Sequence, residues 1–404
     1  MIADLHIHGK YSRACSKELT LDNLEKWAKI KGMDLLGTGD FTHPGWIKHL
    51  KENLIEDHTG FLKSKSGFPF MLQTEISLIY TQDGKGRRVH NLIFAPSLEI
   101  VDQITEAFLK RGRIDYDGRP IFKIPCPEFV EMLKEISKDI EIIPAHIWTP
   151  YFGVLGNNSY FNSMKEAFQD QEKNIHAIET GLSSDPEMNW RLSQLDRYSL
   201  VSFSDLHSFW PWRIGREATL FDINEDYKNL IKAIRTKQGL RGTIEVDPAY
   251  GKYHLDGHRS CNVSLEPKDA LKSKNICPKC NKPLTIGVLH RVEELADRPK
   301  GYKPKNAKEV YHLIPLSEII STVTKKGVST KAVWDEYNKI LNRFNNEINV
   351  LMNVSFEDLK SITDPKIAKL ILNVRKGKVN FEAGYDGVYG TIKEPKAQKG
   401  LNDF

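Results

Sequence analysis

Between Asp4 and His207, short apolar stretches repeatedly run into a histidine or an acid and then into a helix-like segment. The series is Asp4-Leu5-His6-Ile7-His8; Met33 to Thr38, followed by Asp40 and His43; Phe70 to Ile76, with Glu75; Val89 to Phe94, with His90; Ile140 to Ala145, then His146; Ile175 to Glu179; and Ser199 to Ser204, then Asp205 and His207. Strand, polar ligand, helix, repeated about seven times, predicts an α/β chain folded as a parallel β/α barrel with functional residues at the C-terminal strand ends. A single histidine there is explained by a hydrogen-bonded core role. A whole series at successive strand ends predicts convergence on one site.

The first member shows what kind of site. Residues two apart on a strand share a face, so His6 and His8 sit side by side, with Asp4 placed to orient one ring. Neutral imidazoles pack poorly in a core and bind divalent metals well. The alternative is a surface strand with incidental histidines.

Between the strands, helix signals are explicit. Thr20 is an N-cap for Leu21 to Lys31, where Leu21, Leu24, Trp27, Ala28 and Ile30 keep helical spacing, and Gly32 ends it. A further helix is expected around Phe129 to Lys138. From Glu318 the chain reads as helical, with one amphipathic helix over Ser329 to Met352 and another over Phe356 to Val374. The cations Arg375, Lys376 and Lys378 then serve either as a helix cap or as phosphate contacts. Gly384 to Gly390 is a glycine-aromatic turn suited to close backbone approach to a partner, and Glu394 to Phe404 reads as a polar, mobile tail.

With 404 residues, several domains are expected: a catalytic barrel over residues 1–245, a zinc-binding module over 246–300 and a basic helical module over 301–404. Lys plus Arg against Asp plus Glu is 31 to 35 in residues 1–250 and 27 to 18 in 251–404, so the C-terminal part carries the positive excess. That asymmetry suggests a polyanion held by one part and processed by the other, although solubility also favours a mild charge excess. Five cysteines are too few for a disulfide framework. Instead His258-Arg259-Ser260-Cys261 and Cys277-Pro278-Lys279-Cys280 have the spacing of a structural zinc site, with His254 and His290 as competitors for His258. A redox-active CxxC is the alternative for Cys277 and Cys280. Short apolar runs and an N-terminus without signal-peptide character lead to the expectation of a soluble, cytoplasmic protein with no membrane role.

The motifs DLHIH, GTGD, QTEIS, VHNLIF, PAHIW and SDLH, over about residues 1 to 240, resemble those of the polymerase and histidinol phosphatase (PHP) family of phosphoesterases. More narrowly, GKYHLDGHRSC, CPKC, LTIGVLHRVEELADRP and GYDGVYG resemble the endonuclease Q family within it. That resemblance implies a distorted seven-stranded barrel holding two or three divalent ions (zinc, manganese or magnesium), plus one structural zinc. It also implies a DNA repair nuclease that cuts on the 5′ side of uracil, hypoxanthine, xanthine or an abasic site. Position by position it implies that His6, His8, Glu75 and Asp205 hold one metal, and that Glu75 bridges to a second held with His90 and His146. The sequence departs at the third site, where Cys15 and Phe41 replace common ligands; His207 remains, with Asp40 or His43 to complete it. Glu75, Asp205 and Asp4 are the candidate catalytic residues.

Further expectations concern the substrate. Trp148, Phe152, Trp210 and Trp212 either stack on an extruded base or pack over the barrel mouth, and Arg213 and Arg216 are candidate phosphate clamps. DNA is the expected partner and a sliding clamp a further candidate. Two rival readings are a small-molecule phosphatase on the same barrel, which leaves the zinc knuckles without a task, and a non-catalytic nucleic-acid-binding protein, which leaves the ligand set without one.

Overall fold

The computed structural model describes residues 1–393; the expected tail Glu394 to Phe404 lies outside the described residues. The N-terminal strand Ile2–Asp4 lies inside the largest sheet. It pairs in parallel with Leu35–Gly37, which pairs in parallel with Pro69–Met71. On its other flank it pairs antiparallel with Ala218–Phe221, followed by Leu240–Glu245 and Glu309–His312. A second sheet contains the long hairpin Gln73–Gln82/Lys85–Phe94, and Glu141–Pro144 lies antiparallel to its second arm. A two-stranded parallel sheet joins Ala177–Glu179 to Ser199–Val201. Ala3, Leu35, Met71, Leu92, Ile143, Ala177 and Val201, each from a different one of seven of these strands, are buried in a common core.

This mixed α/β arrangement departs from the expected all-parallel alternation at several pairings, and one of them bears on the site. Glu75 and His90 are carried by one antiparallel hairpin, with Ser77 opposite His90, so His90 stands within a strand rather than at its end. Asp83 and Gly84, both at positive φ, make a turn too tight for a helix to intervene.

The first helix is as expected: Thr20 accepts from Asn23 N, and Gly32 at φ 99° closes it. The long C-terminal helices are each split. Asn345 at φ 72° and the N-cap Asn346 divide Lys331–Phe344 from Glu347–Met352. Pro365, at the first turn of Pro365–Arg375, separates that helix from Phe356–Ile362 because proline cannot donate the bond a continuous helix requires. Amphipathic periodicity survives both breaks, which is why each pair reads as one helix.

The C-terminal elements are joined to the barrel-like part. Glu309–His312 extends its sheet, and the helices dock through a buried ion pair, Lys31 Nζ to Glu347 Oε1 at 2.7 Å. Leu316 N and Tyr337 Oη also donate to Glu347, so its charge is well compensated. The strands Asp256–His258 and Val263–Leu265 form a small ladder around a satellite core of Val263, Ala270, Cys277 and Leu284. The Gly384–Gly390 turn makes its close approach within the molecule: a Cβ at Gly384 would stand 2.2 Å from Gly251 O. No helix among the described residues is long and apolar enough to cross a membrane.

Candidate metal centre

Just beyond Ile2–Asp4, Ile7 bridges to Leu206, which brings the His6–His8 segment beside Asp205. The His6 and His8 rings lie 5.5 Å apart. Four residues then present ligand atoms within 4.8 Å of one another: His6, His8, Glu75 and Asp205. A second such group is Glu75, His90 and His146, so Glu75 belongs to both. Its Oε1 faces His90 Nδ1 at 2.7 Å and His146 Nε2 at 3.2 Å. Its Oε2 faces His8 Nε2 at 3.3 Å and His6 Nε2 at 3.6 Å. His146 and Asp205 sit at φ 31° and 47°, backbone strain of the kind concentrated at functional sites.

The electrostatics identify a place for cations. Burial raises the Glu75 carboxyl, but His90, Arg119 and His6 outweigh it and hold it well below the usual range. Burial likewise lowers His6, while Glu179, Asp205 and Glu75 raise it well above an ordinary imidazole. Burial instead takes His90 down to about 4 despite Glu75, so the cluster pairs a ring that favours its neutral, ligating form with one drawn towards positive charge where acid oxygens converge, a setting a divalent ion suits. His6 Nε2 is buried and makes no hydrogen bond, and a donor set of imidazoles and carboxylates fits zinc, manganese or a similar ion.

Two carboxylates hold the rings in place. Glu179 Oε1 is 2.9 Å from His6 Nδ1, and its Oε2 accepts from His146 N at 2.7 Å. Asp40, at φ 40°, sets its Oδ1 3.0 Å from His8 Nδ1, while its Oδ2 accepts from Gly9 N and Ser12 Oγ. Above this floor opens a cavity of about 500 Å³ lined by Arg119, Tyr151, Asp205, His207, Arg213, Arg216, Lys252, Tyr253 and Tyr389.

A second cluster lies apart from it: His258, Cys261, Cys277 and Cys280 also converge within 4.8 Å, with Cys280 Sγ 3.4 Å from His258 Nδ1. His290 does not compete, because Asp256 holds its Nδ1 at 2.6 Å. Burial raises the Cys277 thiol, but N–H groups of Lys279 and Cys280 bring it down to about 7, which favours the thiolate a metal needs.

A family profile described as the MJ0043 C-terminal domain matches residues 315–378, the helical stretch. The uncharacterized protein YqxK of Bacillus subtilis is 31% identical over 97% of this chain and 98% of its own length. The uncharacterized protein MJ0043 of Methanocaldococcus jannaschii is 35% identical over 75% of this chain, a match that spans only 36% of that longer relative. Among solved structures, the lesion-specific endonuclease PfuEndoQ of Pyrococcus furiosus matches with TM-score 0.88 and 34% identity, over 98% of this chain and 95% of that one. Endonuclease Q complexed with a 27-mer duplex carrying an abasic lesion matches equally, over 98% and 97%. The chain belongs to the endonuclease Q family.

In this endonuclease Q family member several sequence-predicted residues stand elsewhere than expected. Asp4 orients neither ring: Ser204 N and Gly215 N donate to its two oxygens, so it fixes the segment around Asp205 and is not placed to act on a substrate. Burial lifts its carboxyl to about 6. Asp40 is a ring-orienting group and not a member of either ligand set. His43 caps the helix Pro44–Asn53 and stacks on Tyr11, away from a ligand position. His207 lines the cavity with Nδ1 3.6 Å from Asp205 Oδ1 but joins neither set. Cys15, its thiol raised to about 12 chiefly by burial, joins neither set.

Of the aromatics, Trp148 is fully buried with its indole on Asn189. Trp210 and Trp212 stack on one another and meet Trp334 at a tilt, packing the helical part onto the barrel-like part. Phe152 at φ 68° stacks on His90. Arg213 and Arg216 do line the cavity. Sequence reasoning missed Glu179 as ring holder, Arg119, which donates to Glu75 Oε2 at 2.9 Å, and the tyrosines of the rim. Glu179 had a signal, its place at a strand end; Arg119 lies on a loop and had none.

Proposed function

We propose that this chain is a metal-dependent endodeoxyribonuclease that hydrolyses the DNA backbone on the 5′ side of abasic sites and deaminated bases. Residues 1–245 would act as a PHP-type barrel, 246–300 as a structural zinc module and 301–404 as a basic DNA-holding part. One observation carries the reading: a single buried carboxylate, Glu75, is shared by two ligand clusters on the floor of a cavity rimmed by cations and tyrosines. A duplex with an abasic lesion bound by a solved relative of 34% identity supports the substrate class.

His6, His8, Glu75 and Asp205 would hold one divalent ion, and Glu75, His90 and His146 a second. When bound, two such ions supply an activated water and neutralise phosphate charge. The chain's own residues do the rest. Glu179 and Asp40 keep the imidazoles aimed, and Arg213, Arg216 and Lys252 receive the phosphodiester from the cavity rim. Tyr151, Tyr253 and Tyr389 offer stacking faces for an extruded base, whose unpairing costs a few kcal/mol. Asp205, with 29% of its side chain exposed, orients the attacking water. The water oxygen bonds to phosphorus as the bond to the leaving oxygen breaks. One water proton ends on that oxygen, and the other leaves to solvent from the new phosphate monoester.

The test is incubation with end-labelled duplexes carrying one uracil, hypoxanthine, xanthine or abasic site, with and without chelator. A chelator-sensitive nick 5′ of the lesion is expected, and Glu75→Ala is expected to abolish it while duplex binding persists. Intact strands, or turnover of a sugar phosphate instead, would overturn the proposal.

A further inference from the structure

Among the described residues, Arg119 is the one arginine or lysine in direct contact with Glu75. Its Nη1 donates to Oε2 at 2.9 Å, and among the described residues this is the guanidinium's one hydrogen bond. The side chain is 24% exposed and lines the same cavity as Asp205, His207 and Arg216. Guanidinium carries five donors in a fixed fork, so four of them have no hydrogen-bond partner among the described residues while the side chain lines the cavity beside Glu75.

The backbone that delivers it is fixed on every side. Asp117 Oδ1 accepts from both Arg119 N and Arg13 N at 3.2 Å, and Gly118 N donates to Tyr11 O. Gly118 lies so close to Asp40 Oδ2 and Ser12 Oγ that a Cβ would come within 2.2 and 2.3 Å of them. Pro120 O accepts from Ser77 N, and Ile121–Phe122 pairs with the strand carrying Glu75. A salt bridge serving stability alone has no need of a guanidinium with four unpartnered donors, aimed at a cavity by a loop sewn to two site segments.

We propose that Arg119 is a catalytic residue of the reaction read above: one N–H stays on Glu75 while the free donors bind a non-bridging oxygen of the scissile phosphate. It thereby supplies organic positive charge beside the ions that the carboxylates hold. Such a donor acts most where charge develops in the transition state, and arginine suits it because the fork matches phosphate geometry.

The inference rests on the proposed phosphodiesterase activity, so the experiment uses two substrates, the abasic-site duplex and bis(4-nitrophenyl) phosphate. The proteins are wild type, Arg119→Ala and Arg119→Lys, each with ions per chain counted by inductively coupled plasma mass spectrometry. Expected for Arg119→Ala are an unchanged ion count, a single-turnover rate lowered on the order of 100-fold and a salt slope of duplex binding reduced by about 1. Arg119→Lys should recover part of the rate, and millimolar guanidinium ion should recover part of the Arg119→Ala rate. Loss of ions from Arg119→Ala, a rate within threefold of wild type, or failure of both rescues would overturn the inference. If wild type cleaves the small diester but no duplex, the lesion reading fails while Arg119 is still decided on the diester. If it cleaves neither, both fall.

Discussion

At the scale of single residues, ligands and the groups that aim them were unequally visible in the chain. His6, His8, Glu75, His90, His146 and Asp205 stand out because imidazoles and acids are rare in apolar strands, and the structure gathers all six. Which carboxylate serves which ring could not be read. Asp4 is two residues from His6, yet its oxygens are taken by backbone N–H groups of Ser204 and Gly215, and Glu179, 173 residues away, holds the ring instead. Hydrogen bonds from metal-ligating histidines to carboxylates fix ring orientation and typically change metal affinity 10- to 100-fold when removed. Glu179→Gln is therefore expected to weaken ion retention by about that factor without unfolding, because the amide oxygen still accepts from His146 N. Metal content after dialysis against a graded chelator buffer measures it; retention equal to wild type would remove Glu179 from the site. The Arg119 contact was illegible for a related reason: only the folded loop aims it.

At the scale of elements, strands and caps followed from local chemistry, while pairing direction did not. Thr20 and Gly32 bound their helix as read, but apolar patterning cannot distinguish a parallel strand from a hairpin arm, and the hairpin of Glu75 and His90 was missed. Nor does the chain reveal that two acids meet where elements join. Glu245 ends Leu240–Glu245, Glu217 precedes Ala218–Phe221, and both are fully buried. Ser202 Oγ and Val246 N donate to Glu217, and Thr180 Oγ1 to Glu245. Burial raises both carboxyls, Glu217 to about 7, and the Glu217 charge raises Glu245 further, well above its ordinary 4.5, so the folded pair holds a proton beyond the pH at which the unfolded chain releases it. As pH climbs from that ordinary value, the unfolded chain releases its proton first, and wild-type stability falls until the folded group ionises. Glu245→Gln keeps a donor and removes the titration. Its advantage over wild type should be small at pH 4.5 and should grow towards pH 8 by about 1.4 kcal/mol per pH unit of that window. Urea unfolding at the two pH values measures this, and an advantage that shrinks with pH would refute the shared proton.

At the scale of the whole molecule, the division into barrel, knuckle and basic helices captures composition better than connectivity. The sheet passes the expected boundary at residue 245 and takes in Glu309–His312, and Trp27, Trp210, Trp212 and Trp334 pack the helices back onto the first helix. The cysteine cluster, moreover, is wired to the cavity. Asp386, in the turn of the hairpin Asn380–Glu382/Thr391–Lys393, accepts from Arg259 N and Thr285 Oγ1, the two segments that His258, Cys261, Cys277 and Cys280 hold together. Leu255 bridges to Tyr385, and the same turn carries Tyr389 into the cavity wall beside Lys252 and Arg213. An ion at the knuckle would therefore act at a distance, by fixing the rim on which the tyrosine stands. Cys280→Ala should lose one zinc per chain, speed amide exchange in residues 256–286 and 380–393 together, and weaken duplex binding about tenfold, the effect of losing roughly 1.4 kcal/mol of rim contacts. The His6 to Asp205 cluster should keep its ions. Exchange that rises in 256–286 alone, leaving the hairpin protected, would show that the knuckle folds only itself and that the rim is held by the barrel.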